Sequence, residues 1–233
     1  MVNIDIVILS YSKNKKCYDK TKACLDSLFM SEDPNNIKFN VFLLESQPEV
    51  TWLDYPVQVI NPPMPYGYHK FMNIGRKLGA SPWVALCNND LIFSKGWFKA
   101  ILELAVVNKQ ILSFSPIDPH TQPKNGFRIN SGNYLGYNIR QQISGWCIVQ
   151  KREIYDVIGD LDEKFIHWFC DNDYGLTLYD NKIAHCLVTG SVVEHHDDML
   201  GEVTIQTKSQ SEIQELTYGK EEYFKEKWAK YLQ

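Results

Sequence analysis

The chain has 233 residues and a formal net charge of −4, with 44% apolar and 22% charged residues. This balance is typical of a globular domain and excludes a disordered chain, and the net negative charge excludes a surface that attracts nucleic acid everywhere. No apolar run approaches the length of a membrane span, so we expect a soluble protein.

The cysteine pattern predicts a cytoplasmic location. The six cysteines show no CxxC pair and no compact spacing, and several lie inside apolar runs. Such residues are typically reduced, buried thiols. The first ten residues are acidic and strand-like, unlike a secretion signal.

The first half of the chain alternates between apolar strands and amphipathic helices. The predicted strands are residues 4–10, 39–44, 57–60 and 83–87, and the predicted helices lie around residues 24–29, 71–78 and 97–102. The strands are almost continuously apolar, which is typical of strands covered on both faces. Gly79 is the predicted stop of the middle helix.

The second half is less regular. Residues 118–144 are rich in Asn, Gly, Pro and Gln and are predicted to be loops that face an acceptor. The predicted elements after them are a strand at 148–149, a short helix at 152–158, a helix from about residue 171, a strand over 184–193 and a C-terminal helix through residues 224–231. Residues 197–210 are polar and aperiodic, which fits either a lid that orders on donor binding or simple disorder.

This order of elements predicts an α/β fold with a mostly parallel, doubly wound sheet. We find neither an internal repeat nor a linker, which indicates a single domain. Ligands of such sheets bind at the carboxyl ends of the strands. The polar residues predicted at these ends are Ser10, Tyr11, Glu45, Asn88, Asn89 and Asp90.

Three polar clusters suggest chemistry, and each also has an ordinary structural explanation. The Asp90 carboxylate can hold Mg²⁺ or Mn²⁺, although an Asn-Asn-Asp turn is also common turn chemistry. Asp171, beside Trp168, can act as a general base, although carboxylates at a helix start are also caps. His195 can complete a metal site or belong to a surface histidine pair.

Glu45 ends the second predicted strand and has two interpretations as well. Its carboxylate can accept hydrogen bonds from a base imide or a ribose hydroxyl. It can equally be an exposed loop acid.

Taken together, the motifs resemble the GT-A fold glycosyltransferases, and specifically glycosyltransferase family 2. The resemblance covers about residues 4–196 in order. It rests on the opening strand 6–11, Tyr66-Gly67-Tyr68 with Asn73-Ile74-Gly75, residues 83–90 with Gly96-Trp97, Ser144-Gly145-Trp146, Arg152-Glu153, residues 159–165, Asp171-Asn172-Asp173 and Val193-Glu194-His195.

The resemblance implies an inverting transfer from a UDP-, GDP- or dTDP-sugar, with Mn²⁺ or Mg²⁺ as cofactor. Asp171 would be the catalytic base, and Asp90 with His195 would hold the metal. The implied donor-binding residues are Ser10, Tyr11, Glu45, Gly67, Asn73, Asn88, Asn89 and Asp90. The implied acceptor-side residues are Gly145, Trp146, Trp168 and Asp173.

The resemblance also divides the chain. Residues 1–110 would form the nucleotide-sugar half and residues 111–196 the acceptor half of one domain, and residues 197–233 would add a loop and a helix packed on it. Two positions depart from the family pattern. Asn88 replaces the first carboxylate of Asp-x-Asp, and Cys170 stands where the family has Glu.

The acceptor and the activity itself each leave alternatives. A glycan is the leading acceptor, and the second is a hydroxymethylated base in duplex DNA, which the lysines between residues 13 and 22 permit as a local basic face. A non-catalytic nucleotide-sugar-binding module is the remaining alternative, because of Asn88 and Cys170.

Overall fold

Parallel strands form the first half of the central sheet. In the computed structural model, which describes residues 1–196 and 209–232, these strands lie in the order β3-β2-β1-β4. They are β1 (Val2–Ser10), β2 (Ile37–Glu45), β3 (Val57–Ile60) and β4 (Trp83–Cys87). The predicted strands all fall within these bounds.

Helices cover both faces of this half, which explains why its strands are continuously apolar. One core layer joins Ile4, Ile6 and Ile8 of β1 to α1 (Lys15–Met30) and α3 (Trp97–Val107). The opposite layer joins the other face of β1 to α2 (Tyr68–Arg76) and α5 (Cys170–Asp180).

The second half of the sheet is mixed, so the prediction of a mostly parallel sheet holds for the first half only. β8 (Cys147–Lys151) runs antiparallel to β4, and β6 (Ser113–Ile117) runs antiparallel to β8. β9 (His185–His195) is parallel to β6, while β5 (Leu91–Phe93) and β7 (Asn133–Leu135) run antiparallel to β9.

Three strands were not predicted, for physical reasons. β5 and β7 contain three residues each, too few to show a period. β6 contains Pro116, which removes a ladder donor and argues against a strand in sequence.

Gly79 does not end α2, contrary to the prediction. The helix ends at Arg76, and Leu78 is 46% exposed. A Cβ at Gly79 would collide with the carboxylate of Asp5, which is buried on β1. Asp5 accepts hydrogen bonds from Ser81 and pairs with Arg152. Glycine is therefore needed at position 79 for close packing.

The C-terminal part packs on the same sheet assembly. It contains α4 (Tyr155–Ile158), α5, α6 (Gln210–Tyr218) and α7 (Glu221–Lys227). Phe224 and Trp228 pack against Phe165 and Cys170. Apart from residues 209 and 210, the segment predicted to be a lid lies outside the described residues.

The six cysteines are buried and form no disulfide, as expected for buried thiols. Among the described helices, none combines the length and apolarity needed to cross a membrane.

Candidate active site

Strand pairing brings Asp90 and His195 together. β5 begins directly after Asp90 and pairs with the end of β9, so that Leu91 lies opposite His195. The backbone N–H of His196 donates to the carbonyl of Asp90 at 3.0 Å. The Nε2 atom of His195 consequently lies 3.3 Å from Oδ1 of Asp90.

Buried polar atoms without a hydrogen bond are concentrated around Asp90 and His195. In the described part of the chain, four buried side-chain N or O atoms lack a hydrogen bond, and three of them are Oδ1 of Asp90, Nδ1 of His195 and Nε1 of Trp146. An unsatisfied buried polar group costs about 1–3 kcal/mol. Three such groups together indicate a site that is completed by a ligand or an ion.

The donor set fits a divalent cation. Carboxylate oxygen and imidazole nitrogen are ligands of Mn²⁺, and carboxylate oxygen also suits Mg²⁺. Within residues 1–196 and 209–232, no group of three or more His, Cys, Asp or Glu side chains is arranged to hold a metal. The described residues thus offer a pair of ligands, Asp90 and His195, and phosphate oxygens of a donor would supply others.

Asn88 and Asn89 hold the turn that presents Asp90. The backbone N–H of Asn88 donates to the carbonyl of Trp146 at 2.9 Å. The side-chain amide of Asn89 donates to Oγ1 of Thr21 on α1 at 2.7 Å. Both bonds fix the chain at the carboxyl end of β4, where the sequence predicted a donor site.

Gly145 and Trp146 lie between the Asp90–His195 pair and Asp171. The Trp146 ring stacks on the His195 ring with a centroid distance of 4.7 Å and an interplanar angle of 6°. A Cβ on Gly145 would lie 2.8 Å from Cβ and 2.9 Å from Oδ2 of Asp171. Only glycine at position 145 therefore lets the carboxylate of Asp171 approach so closely. Asp171 lies against Gly145, and the Asp90–His195 pair lies against Trp146 through the His195 ring.

Asp171 has the environment of a base. It is half-buried in the first turn of α5, and its Oδ1 accepts the N–H of Asn172 at 2.9 Å. Burial raises the pKa of Asp171, and the backbone N–H bonds and the positive charge of Arg140 act in the opposite direction. A carboxylate with a raised pKa is a better proton acceptor.

Two aromatic residues, Trp168 and Phe169, shortly precede Asp171 in the chain. Trp168 is 38% exposed, and Phe169 adopts a left-handed conformation with φ 68°. Tyr68 donates its hydroxyl to the carbonyl of Gly145 at 3.0 Å and thereby attaches the start of α2 to Gly145. The exposed ring of Trp168, three residues before Asp171, is of the type on which a sugar can lie.

Asp173 does not face an acceptor, contrary to the expectation. It is 2% exposed, accepts from Nε1 of Trp228 at 2.8 Å and lies 2.7 Å from Nζ of Lys227. Its carboxylate attaches α7 to the first turn of α5. The expectation failed because both partners lie more than fifty residues further along the chain.

Glu45 and Ser10 are also occupied by internal contacts. Glu45 is fully buried and accepts hydrogen bonds from the Ser10 hydroxyl at 2.7 Å, from Ser12 and from Nε1 of Trp52. The backbone N–H of Gln47 donates to it as well. Neither interpretation of Glu45, a nucleoside ligand or an exposed loop acid, agrees with this arrangement. The carboxylate instead organises the loop after β1.

Asn73 is a structural residue as well. Its amide donates to the carbonyl of Leu161 and to Glu163, and its oxygen accepts the N–H of Leu161 and Nε of Arg76. All its hydrogen-bonding capacity is used inside the protein. The expectation that it lines a nucleoside pocket is therefore not met.

Of the two remaining predicted donor residues, Tyr11 is exposed and Gly67 is buried. Tyr11 is 41% exposed at the carboxyl end of β1, and Nζ of Lys13 lies 5.9 Å from its ring centroid. Gly67 precedes α2 as its N-cap and makes no side-chain cap hydrogen bond.

Two residues that matter at this site were not identified from sequence. Ser12 and Trp52 both donate to Glu45 and thereby fix the loop beneath Tyr11. Neither has a recognisable spacing from Glu45 in the sequence, so no motif indicates the contact.

Three solved glycosyltransferase structures share this architecture. GalNAc-T7 with UDP, GalNAc and Mn²⁺ aligns with 84% of this chain at 11% identity and a TM-score of 0.65. The mannosyltransferase PcManGT from Pyrobaculum calidifontis, in complex with GDP-Man and Mn²⁺, aligns with 85% at 12% identity and 0.64. TarS from S. aureus aligns with 82% at 13% identity and 0.58.

These likenesses show that the chain has the GT-A fold. The chain spans 44% of GalNAc-T7, 58% of PcManGT and 59% of TarS in the structures compared. No family model and no curated protein sequence matches it.

Proposed function

We propose that the chain is an inverting, metal-dependent glycosyltransferase that moves a sugar from a nucleotide-diphosphate sugar to an acceptor hydroxyl. The observation that carries this proposal is that Asp171 and the Asp90–His195 pair pack against the same dipeptide, residues 145–146. A base and a diphosphate site must flank one sugar for displacement at its anomeric carbon.

Asp90 and His195 would hold Mn²⁺ or Mg²⁺, whose charge would stabilise the diphosphate leaving group. The unsatisfied atoms at these side chains support this assignment. Three matches to GT-A structures, two of them with Mn²⁺ and with UDP or GDP-Man, support a UDP- or GDP-sugar as the donor. Tyr11 offers an exposed ring against which a base can stack.

Asp171 would accept the proton of the acceptor hydroxyl. As the O–H bond breaks, the acceptor oxygen forms a bond to the anomeric carbon, and the bond from that carbon to the diphosphate oxygen breaks. The nucleoside diphosphate leaves with the electron pair, and the sugar configuration inverts. Trp168 would support the acceptor, for which a glycan is the leading class.

Replacing Asp171 tests the proposal. Asp171→Asn keeps the shape of the side chain and removes the proton acceptor, so we expect kcat to fall by about 10²–10⁴-fold with donor binding retained. The assay measures nucleotide release and sugar transfer with Mn²⁺ across common donors. Asp156→Asn, which neutralises an exposed acid on α4, is the matched control and should keep the wild-type rate.

Two results would contradict the proposal. Sugar transfer by Asp171→Asn at the wild-type rate would show that Asp171 is not the base. Donor binding by the wild-type protein without any nucleotide release would favour the non-catalytic binding module, for which Asn88 and Cys170 are the supporting departures.

A further inference from the structure

The loops that border Asp171 expose only positive charge. Residues 119–145 contain no Asp or Glu, although acids make up 28 of the 233 residues. Apart from histidine, their charged side chains are Lys124, Arg128 and Arg140, and all three are exposed. Asp118, just before them, is completely buried and accepts a backbone N–H. This stretch is cationic in a chain of net charge −4, and Glu194 of β9 meets it at His120, where Oε1 lies 2.9 Å from Nε2.

Hydrogen bonds attach the first of these loops to the active site. Lys124 lies on the short 3-10 turn Gln122–Asn125. Nε2 of Gln122 donates to the hydroxyl of Ser144 at 2.8 Å, and Ser144 directly precedes the glycine that contacts Asp171. The turn is therefore attached to Ser144, which directly precedes the residue that contacts Asp171.

The loop that carries Arg140 packs on the helix of the base. The backbone N–H of Arg140 donates to Ile143 at 2.8 Å, and the side chain of Asn125 donates to the carbonyl of Arg140 at 3.2 Å. A Cβ on Gly175 of α5 would lie 3.0 Å from Cδ1 of Ile143. The charge of Arg140 also reaches the base, because it opposes the effect of burial on the pKa of Asp171.

Lys124 and Arg128 are free to bind an anion. Neither forms a salt bridge with any described residue. Exposed cations without internal carboxylate partners lose little solvation energy when they meet a mobile anion, and both guanidinium and ammonium groups bind phosphate.

We propose that the acceptor carries phosphate groups close to the hydroxyl that receives the sugar, and that Lys124, Arg128 and Arg140 bind them. This inference rests on the proposed function, because it assigns the acceptor class of the same site. Three cations match one to three phosphates of a flexible glycan joined by phosphodiesters. Duplex DNA fits less well, because its binders commonly contact about six to ten phosphates.

The test compares the binding of dextran phosphate with that of unmodified dextran, which differ in charge but share one backbone. We expect the wild-type protein to prefer dextran phosphate by at least ~10-fold in Kd. The combined variant Lys124→Gln, Arg128→Gln and Arg140→Gln should lose this preference. The control with Lys38→Gln, Lys95→Gln and Lys109→Gln removes the same charge from exposed lysines elsewhere and should keep it.

Three results would overturn the inference. The first is equal binding of the two polymers by the wild-type protein, and the second is equal loss of the preference in both combined variants, because net charge alone would then explain it. The third is tighter binding of a short DNA duplex with a log–log salt slope steeper than about −3, since a slope of roughly 0.9 per phosphate would require more contacts than these loops offer.

Nucleotide release is measured on the same samples, so that the two proposals fail separately. A wild-type protein that hydrolyses a donor but does not distinguish the polymers contradicts the acceptor class alone. The transferase proposal then stands on Asp171→Asn.

Discussion

At the residue scale, the pair Asp90 and His195 differs from the other polar groups of the site. Glu45, Asn73 and Asp173 have hydrogen-bond partners inside the protein for their side chains, whereas Asp90 and His195 each keep a buried atom without a hydrogen bond in the described structure. Side chains whose hydrogen-bonding capacity is used inside the protein organise the loops. The remaining capacity supports the proposal that an external group binds at Asp90 and His195.

His195→Gln should weaken Mn²⁺ binding in the presence of a nucleoside diphosphate by at least ~10-fold. Even residues that only contact a metal ligand typically change metal affinity by about 10–100-fold, and a lost ligand should cost no less. Electron paramagnetic resonance of free Mn²⁺ measures the change. His196→Gln is the matched control, because that ring is exposed and faces Glu194. Equal affinities in the two variants would refute the metal assignment.

The sequence identifies which residue types stand at strand ends but not which partners they meet. Asp90, Asp171 and His195 follow apolar runs, and the fold brings them around residues 145–146. Glu45 satisfies the same pattern, yet its partners Ser12 and Trp52 come from loops whose positions no spacing reveals. Residue type and strand position therefore predict candidates, and tertiary contacts select among them.

At the element scale, the strands of the parallel half were predictable, whereas the three-residue strands β5 and β7 were not. β1, β2 and β4 are covered on both faces, and this burial requires an apolar run that can be read directly. β5 has three residues, yet its pairing with β9 places Asp90 beside His195. The element that matters most to the proposed metal site thus has one of the weakest sequence signals.

Helix α7 should position the base through Asp173. Trp228, directly after α7, donates to Asp173 in the turn that carries Asp171. Trp228→Phe removes this donor and keeps most of the ring, so we expect a loss of about 1–3 kcal/mol in unfolding free energy. We also expect kcat to fall by about 10-fold with an unchanged donor Kd, because a small misplacement of a base slows chemistry without weakening donor contacts.

Tyr231→Phe provides the control for this prediction. It also removes one hydrogen bond to an α5 carboxylate, but at Asp180, the last residue of the helix. Steady-state kinetics and urea unfolding of both variants separate positioning from stability. Similar kcat values in the two variants, at temperatures where both are folded, would show that α7 has no influence on the base.

At the scale of the whole molecule, a buried polar network joins α5 to three strands of the second half of the sheet. The hydroxyl of Ser113 on β6 lies 2.7 Å from the hydroxyl of Tyr174 on α5 and 2.8 Å from Nδ1 of His185 on β9. Gln150 on β8 donates to Tyr174 at 2.6 Å. Nε2 of His185 lies 3.0 Å from the carbonyl of Gln142.

The network requires a neutral His185. The carbonyl of Gln142 can only accept, so Nε2 carries the proton and Nδ1 accepts from Ser113. Burial lowers the pKa of His185 to about 4, and the bond to the Gln142 carbonyl offsets a part of this effect. Protonation of Nδ1 would place a positive charge in the core, and it would turn the atom that accepts from Ser113 into a donor.

This depressed pKa predicts that stability falls in mild acid. Between the unfolded-state pKa of about 6.5 and the folded value of about 4, the unfolded chain binds more protons, so unfolding free energy decreases as pH falls through this window. The contribution of His185 is complete above about pH 6.5, and it should lose roughly 2 kcal/mol between pH 7 and pH 5. Urea unfolding at both pH values measures it. His185→Gln should be less stable at pH 7 and should lack this part of the pH dependence, because glutamine does not titrate. An equal pH dependence in the two proteins would mean that other groups, and not His185, govern stability in this range.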